Sequence, residues 1–131
     1  MNTKRILNIT AAVLMAFCMV PTGLAAEKVT AGQIIAIKTK AKLGDAASMH
    51  NLGVCFLNGW GVAKNTAEAV KWFRKAAEKG YAEAQYNLGI CYANGWGVKE
   101  SEEEGVKWLR KAAKQNLKPA QDVLKEAGLT W

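Results

Sequence analysis

The sequence NLGICYANGWGVKESEEEGVKWLRKAA, residues Asn87–Ala113, decides the fold because it is the second copy of an earlier stretch. The first copy, NLGVCFLNGWGVAKNTAEAVKWFRKAA, occupies Asn51–Ala77. Aligning residues 44–79 with residues 80–115 needs no gap and leaves 19 of 36 positions identical. A fixed period of this length predicts a repeat architecture, in which each unit buries its apolar face only against a neighbouring unit.

Each unit has the pattern of two helices joined by a glycine-rich turn. The first helix is predicted near residues 46–57 and again near 82–93, because apolar positions recur there with helical spacing. The turn follows as Asn-Gly-Trp-Gly-Val at residues 58–62 and 94–98, where the glycines supply backbone angles that other residues resist.

The second helix of each unit carries start and stop signals. Asn65 and Ser101 occupy the same repeat position and suit an N-cap, and each is followed three residues later by a glutamate that could close a capping box. Gly80 and Asn116 stand one period apart where the helices should end, and both residue types tolerate the left-handed conformation. Trp72 and Trp108 fall on the predicted core face of these helices.

The combined pattern A-x3-LG-x2-[YF]-x2-G-x-GV, followed by a cap and W-x2-KAA, resembles the Sel1-like repeat, a relative of the tetratricopeptide repeat. The departures are mild, since Ser48 and Gly105 replace the usual alanine. The resemblance implies an all-α fold: an α-solenoid of antiparallel helix pairs, with two full 36-residue repeats flanked by capping half-repeats. It also implies an interaction scaffold, and it does not identify a partner. The matching positions are Ser48, Leu52, Gly53, Phe56, Gly59, Gly61, Val62, Ala69, Trp72, Lys75, Ala76 and Ala77, and their counterparts 36 residues later.

Residues 1–26 have the pattern of a secretory signal peptide. Lys4 and Arg5 precede the largely apolar Ile6–Val20, and small residues then allow cleavage near Ala25 or Ala26. We therefore expect a periplasmic or secreted protein with no membrane span after processing; an uncleaved N-terminal anchor is the alternative. The predicted units are a signal peptide at 1–26, an N-terminal capping helix at 27–43, repeats at 44–79 and 80–115, and a C-terminal capping helix at 116–131.

Charge and reactive side chains predict a binding protein with no enzymatic activity, cofactor or metal. The net charge of +7 becomes +5 without Lys4 and Arg5, and the charges are spread over helix surfaces, so we expect no nucleic-acid partner. His50 is the only histidine, and it lies five positions before Cys55, which places the two on different helix faces. No three or four potential ligands have the short sequence spacings that a zinc site requires.

Cys55 and Cys91 occupy equivalent positions in the two repeats. Stacked helices lie about 8–10 Å apart, whereas a disulfide needs Cα atoms within about 7 Å. We therefore expect both to be small buried hydrophobes, with a bridge as the alternative.

Two surfaces are candidates for partner binding. The first, the groove strip, comprises His50, Asn51, Val54, Tyr86, Asn87 and Ile90; it lies away from the core leucines on the first helices, and the family resemblance implies that these helices line a groove. The second, the loop edge, comprises residues 58–62 and 94–98 and is centred on Trp60 and Trp96. As alternatives, the asparagines hydrogen-bond to backbone within each repeat and the two tryptophans pack on the neighbouring repeat.

The sequence thus predicts an exported, non-enzymatic scaffold that binds a protein or peptide partner through the groove strip. The alternative is a cell-wall-ligand binder or a β-lactam-hydrolysing enzyme, like the exported cysteine-rich proteins with similar repeats. Those proteins carry two bridged cysteines per repeat, whereas Ala77 and Ala113 occupy the expected second positions here. The missing cysteines argue against that alternative.

Overall fold

The computed structural model describes residues 29–131, which form six α-helices and no strand. Each helix packs mainly against the next along the chain, so the element order is also the order of stacking. This arrangement confirms the predicted all-α solenoid of two repeats between half-repeats. The predicted signal peptide and its cleavage site lie outside the described residues. The helices are α1 (Ala31–Lys42), α2 (Ala46–Asn58), α3 (Thr66–Glu78), α4 (Ala82–Asn94), α5 (Glu102–Lys114) and α6 (Lys118–Glu126).

The second helices, α3 and α5, begin at the predicted N-caps. The side chains of Asn65 and Ser101 accept hydrogen bonds from the backbone N–H three residues later, at 3.1 and 3.3 Å. Neither capping box closes, because the backbone N–H groups of Asn65 and Ser101 donate instead to the carbonyls of Phe56 and Tyr92, at 2.8 and 2.9 Å. These bonds tie the start of each second helix to its own first helix.

The ends of the second helices also follow the sequence prediction. Gly80 follows the cap of α3 with φ 90°, and Asn116 follows the cap of α5 with φ 64°. Asn116 is the one non-glycine residue with positive φ between residues 29 and 131. Asparagine tolerates this conformation better than most residues, so the chain can reverse into the next first helix at both places.

Two helix glycines let each first helix approach its own second helix closely. A Cβ atom at Gly53 would lie 2.6 Å from the ring of Phe73, and one at Gly89 would lie 2.9 Å from both the carbonyl oxygen of Gly105 and Cγ of Leu109. Larger residues would push the two helices apart. The leucine-glycine pair of the repeat pattern therefore sets the spacing within each helix pair.

The last described helix, α6, has the position of a first helix but differs from α4 near its C-terminal end. Exposed Lys125 and Glu126 stand where the second repeat has buried Gly89 and Ile90. The tail then returns toward α5, because Arg110 Nε donates a 2.8 Å hydrogen bond to the carbonyl of Thr130.

Candidate functional site

The groove strip is buried, apart from Asn51, which is half-buried. The exposed fractions are 2% for His50, 0% for Val54, 1% for Tyr86, 4% for Asn87 and 1% for Ile90. The expectation that this strip lies away from the core and lines an open groove is therefore wrong. A side chain buried to this extent cannot contact a partner unless the solenoid opens.

Neighbouring helices cover the strip from more sides than a single helix pair would provide. Tyr86 and Ile90 belong to one apolar cluster with Leu109 of α5 and Val123 of α6. Val54 belongs to the cluster formed by α1 to α4. A helical wheel assigns one buried face to each helix, whereas a first helix in the middle of a stack is packed from both flanks. The apolar strip that suggested a groove is thus the packing surface between repeats.

His50 and Asn87 connect the first helices of the two repeats. Nδ2 of Asn87 lies 2.9 Å from Nε2 of His50, and because an amide nitrogen donates, the neutral imidazole accepts at Nε2. The proton then resides on Nδ1, which has no hydrogen-bond partner among residues 29–131. Burial lowers the pKa of His50 to about 4. The ring also contacts the aromatic rings of Phe73 and Tyr81, at centroid distances of 5.8 and 5.3 Å.

Asn87 therefore bonds to a side chain, not to backbone as the alternative for Asn51 and Asn87 had it, and the backbone bonds are made by Asn58 and Asn94 at the helix ends. Asn58 Nδ2 donates to the carbonyl of Val54 at 3.0 Å, and Asn94 Nδ2 donates to that of Ile90 at 2.9 Å. These amides secure the last turn of each first helix before the loop.

A pair of glutamines at equivalent repeat positions, which was not among the predicted site residues, joins consecutive repeats. Gln85 Nε2 donates to the carbonyl of Ala77 at 3.2 Å, and Gln121 Nε2 makes the equivalent bond to Ala113 at 3.1 Å. Gln115 Nε2 adds a 2.9 Å bond to Oε1 of Gln85. The identity of residues 85 and 121, one period apart, was the sequence signal that could have revealed this contact.

The loop edge presents two tryptophans in equivalent settings. The backbone N–H groups of Trp60 and Trp96 donate to the carbonyls of Cys55 and Cys91, both at 2.9 Å, which fixes the loops against the first helices. Both indole rings are half-buried and pack against the apolar core. Each ring therefore combines a fixed position with a solvent-accessible part.

Each loop also contacts the preceding second helix. A Cβ atom at Gly97 would lie 2.5 Å from the carbonyl oxygen of Thr66, the first residue of α3, and one at Gly61 would lie 3.3 Å from the carbonyl oxygen of Val29. Only glycine fits such a close approach to backbone at Gly97, where φ is 67°. The glycines of both loops thus lie against the preceding part of the solenoid, whereas the alternative considered from the sequence concerned the tryptophans.

The tryptophans of the second helices are less buried than predicted. Trp72 and Trp108 are half-buried at the edge of the core, and the fully buried aromatic residue of α3 is Phe73. The ammonium groups of Lys75 and Lys111 lie 4.5 and 4.4 Å from the two indole centroids. The i, i+3 spacing of tryptophan and lysine in W-x2-K was the signal for this cation–π contact.

Reactive groups within residues 29–131 are buried or isolated. Cys55 and Cys91 are buried thiols without a disulfide, as predicted, and burial raises the pKa of the Cys55 thiol. Three or more metal-ligating side chains do not come together anywhere in this part of the chain. None of its helices has the length and apolar character required to cross a bilayer. Of the residues predicted to bind a partner, the accessible ones are Asn51 and the two loop-edge tryptophans, Trp60 and Trp96.

Comparison with known proteins identifies the repeat. The protein-family model of the Sel1 repeat matches residues 46–81 and again residues 82–117. No curated protein sequence matches the chain. Among solved structures, a cysteine-rich protein B of Helicobacter pylori superposes with a TM-score of 0.69 at 20% identity, over 92% of this chain and 86% of that chain. At that identity the likeness concerns the fold alone.

Two further structures are more similar in sequence. A Sel1 repeat protein from Oxalobacter formigenes superposes with a TM-score of 0.73 at 32% identity, over 83% of this chain and 32% of its own. A protective antigen of uropathogenic Escherichia coli strains, which displays an SLR fold, superposes with a TM-score of 0.67 at 37% identity, over 73% of this chain and 21% of its own. The chain thus spans a third or less of the length of these two proteins. With both of its repeats matched, this chain belongs to the Sel1 repeat family.

Proposed function

We propose that this protein is an exported, non-enzymatic scaffold that binds a protein or peptide partner through the loop edge. The observation that carries the proposal is the repeated pair Trp60 and Trp96. Both rings are held in place by backbone hydrogen bonds and core packing, yet both remain partly accessible. Rigid tryptophans lose little entropy on binding and are enriched among residues that dominate binding energy.

The loop edge is a better candidate than the groove strip. Of the residues proposed from the sequence, only Asn51, Trp60 and Trp96 are accessible enough to contact a partner in the folded solenoid. Exposed backbone at Gly59 and Gly61 beside Trp60 adds polar groups that a peptide could pair with. The buried members of the groove strip would then affect binding only by holding the repeats in register.

Co-purification tests the proposal. The tagged protein would be recovered from a periplasmic extract, with Trp60→Ala and Trp96→Ala as variants and Trp131→Ala as the matched control. Trp131 is 45% exposed and is the last residue of the C-terminal tail. Each loop variant should weaken partner recovery about tenfold, as for an interface residue worth about 1.4 kcal/mol. Loop variants that keep the helical circular dichroism and recover the partner like the control would rule out the loop edge.

The export part of the proposal has its own test. The charged start, the apolar Ile6–Val20 and the small residues after it support cleavage by a signal peptidase. Intact mass of the exported protein should correspond to a start at Ala26 or Glu27. Recovery of chains that retain Met1 in the membrane fraction would contradict processing.

The non-enzymatic part rests on the same reactive groups described above. The single histidine is buried and neutral, and the thiols are buried within the core. We therefore expect no turnover of nitrocefin above a buffer control. Hydrolysis that persists in purified protein and disappears in a denatured sample would favour the β-lactam-hydrolysing alternative.

A further inference from the structure

The solvent-facing side of the second helices α3 and α5, and of α1, which precedes the first repeat as a second helix would, forms a strongly basic surface. We define this outer face as positions 35, 38, 39 and 42 of α1 together with the positions 36 and 72 residues later, on α3 and α5. Ten of these twelve positions are exposed and two are half-buried. Nine of them are lysine or arginine, and Glu78 is the single acid. Because the repeat places equivalent residues on the same side of the solenoid, the basic residues lie on one continuous side.

The positive charge of the outer face is only partly neutralised within the chain. Of the three ion pairs formed by residues 29–131, two involve outer-face lysines: Lys71 with Glu68 at 3.1 Å and Lys107 with Glu104 at 3.7 Å. The third pair lies on α6. The remaining seven basic residues of the face form no salt bridge with the described part of the chain, so the face presents excess positive charge to solvent.

Two aliphatic side chains project beside the basic residues at the α1 end. Ile35 is 64% exposed and Leu43 is 83% exposed, although the equivalent positions in both repeats hold lysine or glutamine. They lie about 12 Å apart along the helix, at a rise of about 1.5 Å per residue. Lys38 and Lys42 lie between them in sequence. Protruding aliphatic groups beside lysines suit the boundary between lipid headgroups and acyl chains.

Other polyanions fit this surface less well. Single-stranded nucleic acid binds by stacking its bases on aromatic rings, but Lys75 and Lys111 cover the rings of Trp72 and Trp108. The guanidinium of Arg74 donates a 2.6 Å hydrogen bond to the hydroxyl of Tyr92 and so is already oriented within the fold. Ile35 and Leu43 would gain nothing from a fully hydrated polyanion. A bilayer surface uses both the charge and the aliphatic side chains.

We propose that the outer face binds the surface of an anionic phospholipid bilayer, with Ile35 and Leu43 inserting among the headgroups and the lysines meeting the lipid phosphates. The contact is peripheral, since no helix in residues 29–131 could span a membrane. It uses residues other than those of the loop edge, since Trp60 and Trp96 are not part of the outer face. The module could then hold its partner at a membrane surface.

Vesicle co-sedimentation with charge-matched variants tests this proposal. The probe is phosphatidylcholine vesicles containing phosphatidylglycerol. The protein is purified from the cell in whichever form accumulates there, processed or unprocessed. One variant carries Lys42→Gln and Lys114→Gln on the outer face; the control carries Lys99→Gln and Lys125→Gln, which lie off the face and change the net charge equally. Each lysine near an anionic surface contributes about 1 kcal/mol, or about fivefold, so the outer-face variant should bind about 25-fold more weakly.

A second variant tests the insertion of the aliphatic side chains separately from charge. Ile35→Ser with Leu43→Ser leaves the charge unchanged and should lower vesicle binding at least about tenfold, since each buried methylene contributes about 0.8 kcal/mol. If the outer-face variant and the control variant lose vesicle binding equally, the outer face is not the binding surface. Vesicle binding unchanged by the serine substitutions would overturn lipid insertion and leave a purely electrostatic contact with the vesicle surface. Circular dichroism of each variant excludes unfolding as the cause.

Discussion

Acidification should destabilise this fold through His50, and His50→Gln should remove that part of the effect. The ring is 2% exposed, and burial lowers its pKa from 6.5 to about 4. Unfolding returns the side chain to water, where its pKa is about 6.5. Because the folded-state pKa is the lower of the two, the unfolded chain binds the proton first as the pH falls and is stabilised by it.

The size of the effect follows from the two pKa values. The contribution of neutral His50 is fully present above the unfolded pKa and is lost as the pH falls toward the folded pKa. At about pH 5 the unfolded pKa lies about 1.5 units higher, which corresponds to about 2 kcal/mol, and the loss approaches about 3 kcal/mol near pH 4. The groups in contact with the ring include Phe73, Tyr81 and the side-chain amides of Asn51 and Asn87, none of which carries charge in this range.

Urea unfolding at about pH 7 and about pH 5 measures this contribution as a double difference. Glutamine retains a carbonyl that can accept from Asn87, and it does not titrate. Wild type should lose about 2 kcal/mol more than His50→Gln between the two pH values. Asp45, whose pKa is lowered by hydrogen bonds from Ser48, also destabilises the fold on acidification, but it does so equally in both proteins. Equal losses in the two proteins would refute the buried, neutral histidine.

Three further predictions follow from the packing. Gly89→Ala should destabilise the domain by about 1–3 kcal/mol through overpacking, whereas Gly32→Ala, which meets no atom within 4 Å, should be neutral or stabilise by up to about 1 kcal/mol in thermal melts. Tyr86→Ala should cost about 3–5 kcal/mol of unfolding free energy, and an unchanged melting midpoint would contradict its burial. Cys55 and Cys91 should resist a thiol reagent in the folded protein and both react in denaturant without reductant; a protein two mass units light would instead reveal a disulfide.

The repeat and its helix boundaries could be predicted because they depend on residues that lie close together in the sequence. Asn65 and Ser101 mark helix starts through side chains that bond three residues away, and Gly80 and Asn116 mark ends through their own backbone preferences. Each signal involves only nearby residues. A 36-residue period then repeats the same signals, which leaves little freedom in the order of the helices.

The groove strip could not be assigned correctly because its burial depends on contacts between repeats. Tyr86 is a half-polar residue on the side of α4 away from the core leucine, and nothing local indicates that α5 and α6 cover it. The bond between His50 and Asn87 joins residues 37 positions apart, one more than the period. Trp72 was misjudged for a related reason, since tryptophan is large enough to contact the core while one face remains under a lysine.

The most direct test of partner binding at the loop edge is site-specific photo-crosslinking in intact cells. A photoreactive phenylalanine analogue would replace Trp60, Trp96 and, as a control, the exposed Lys125 of α6, one position at a time. If the partner binds at the loop edge, positions 60 and 96 should crosslink the same protein and position 125 should crosslink none. A partner captured at position 125 but at neither loop position would contradict binding at the loop edge.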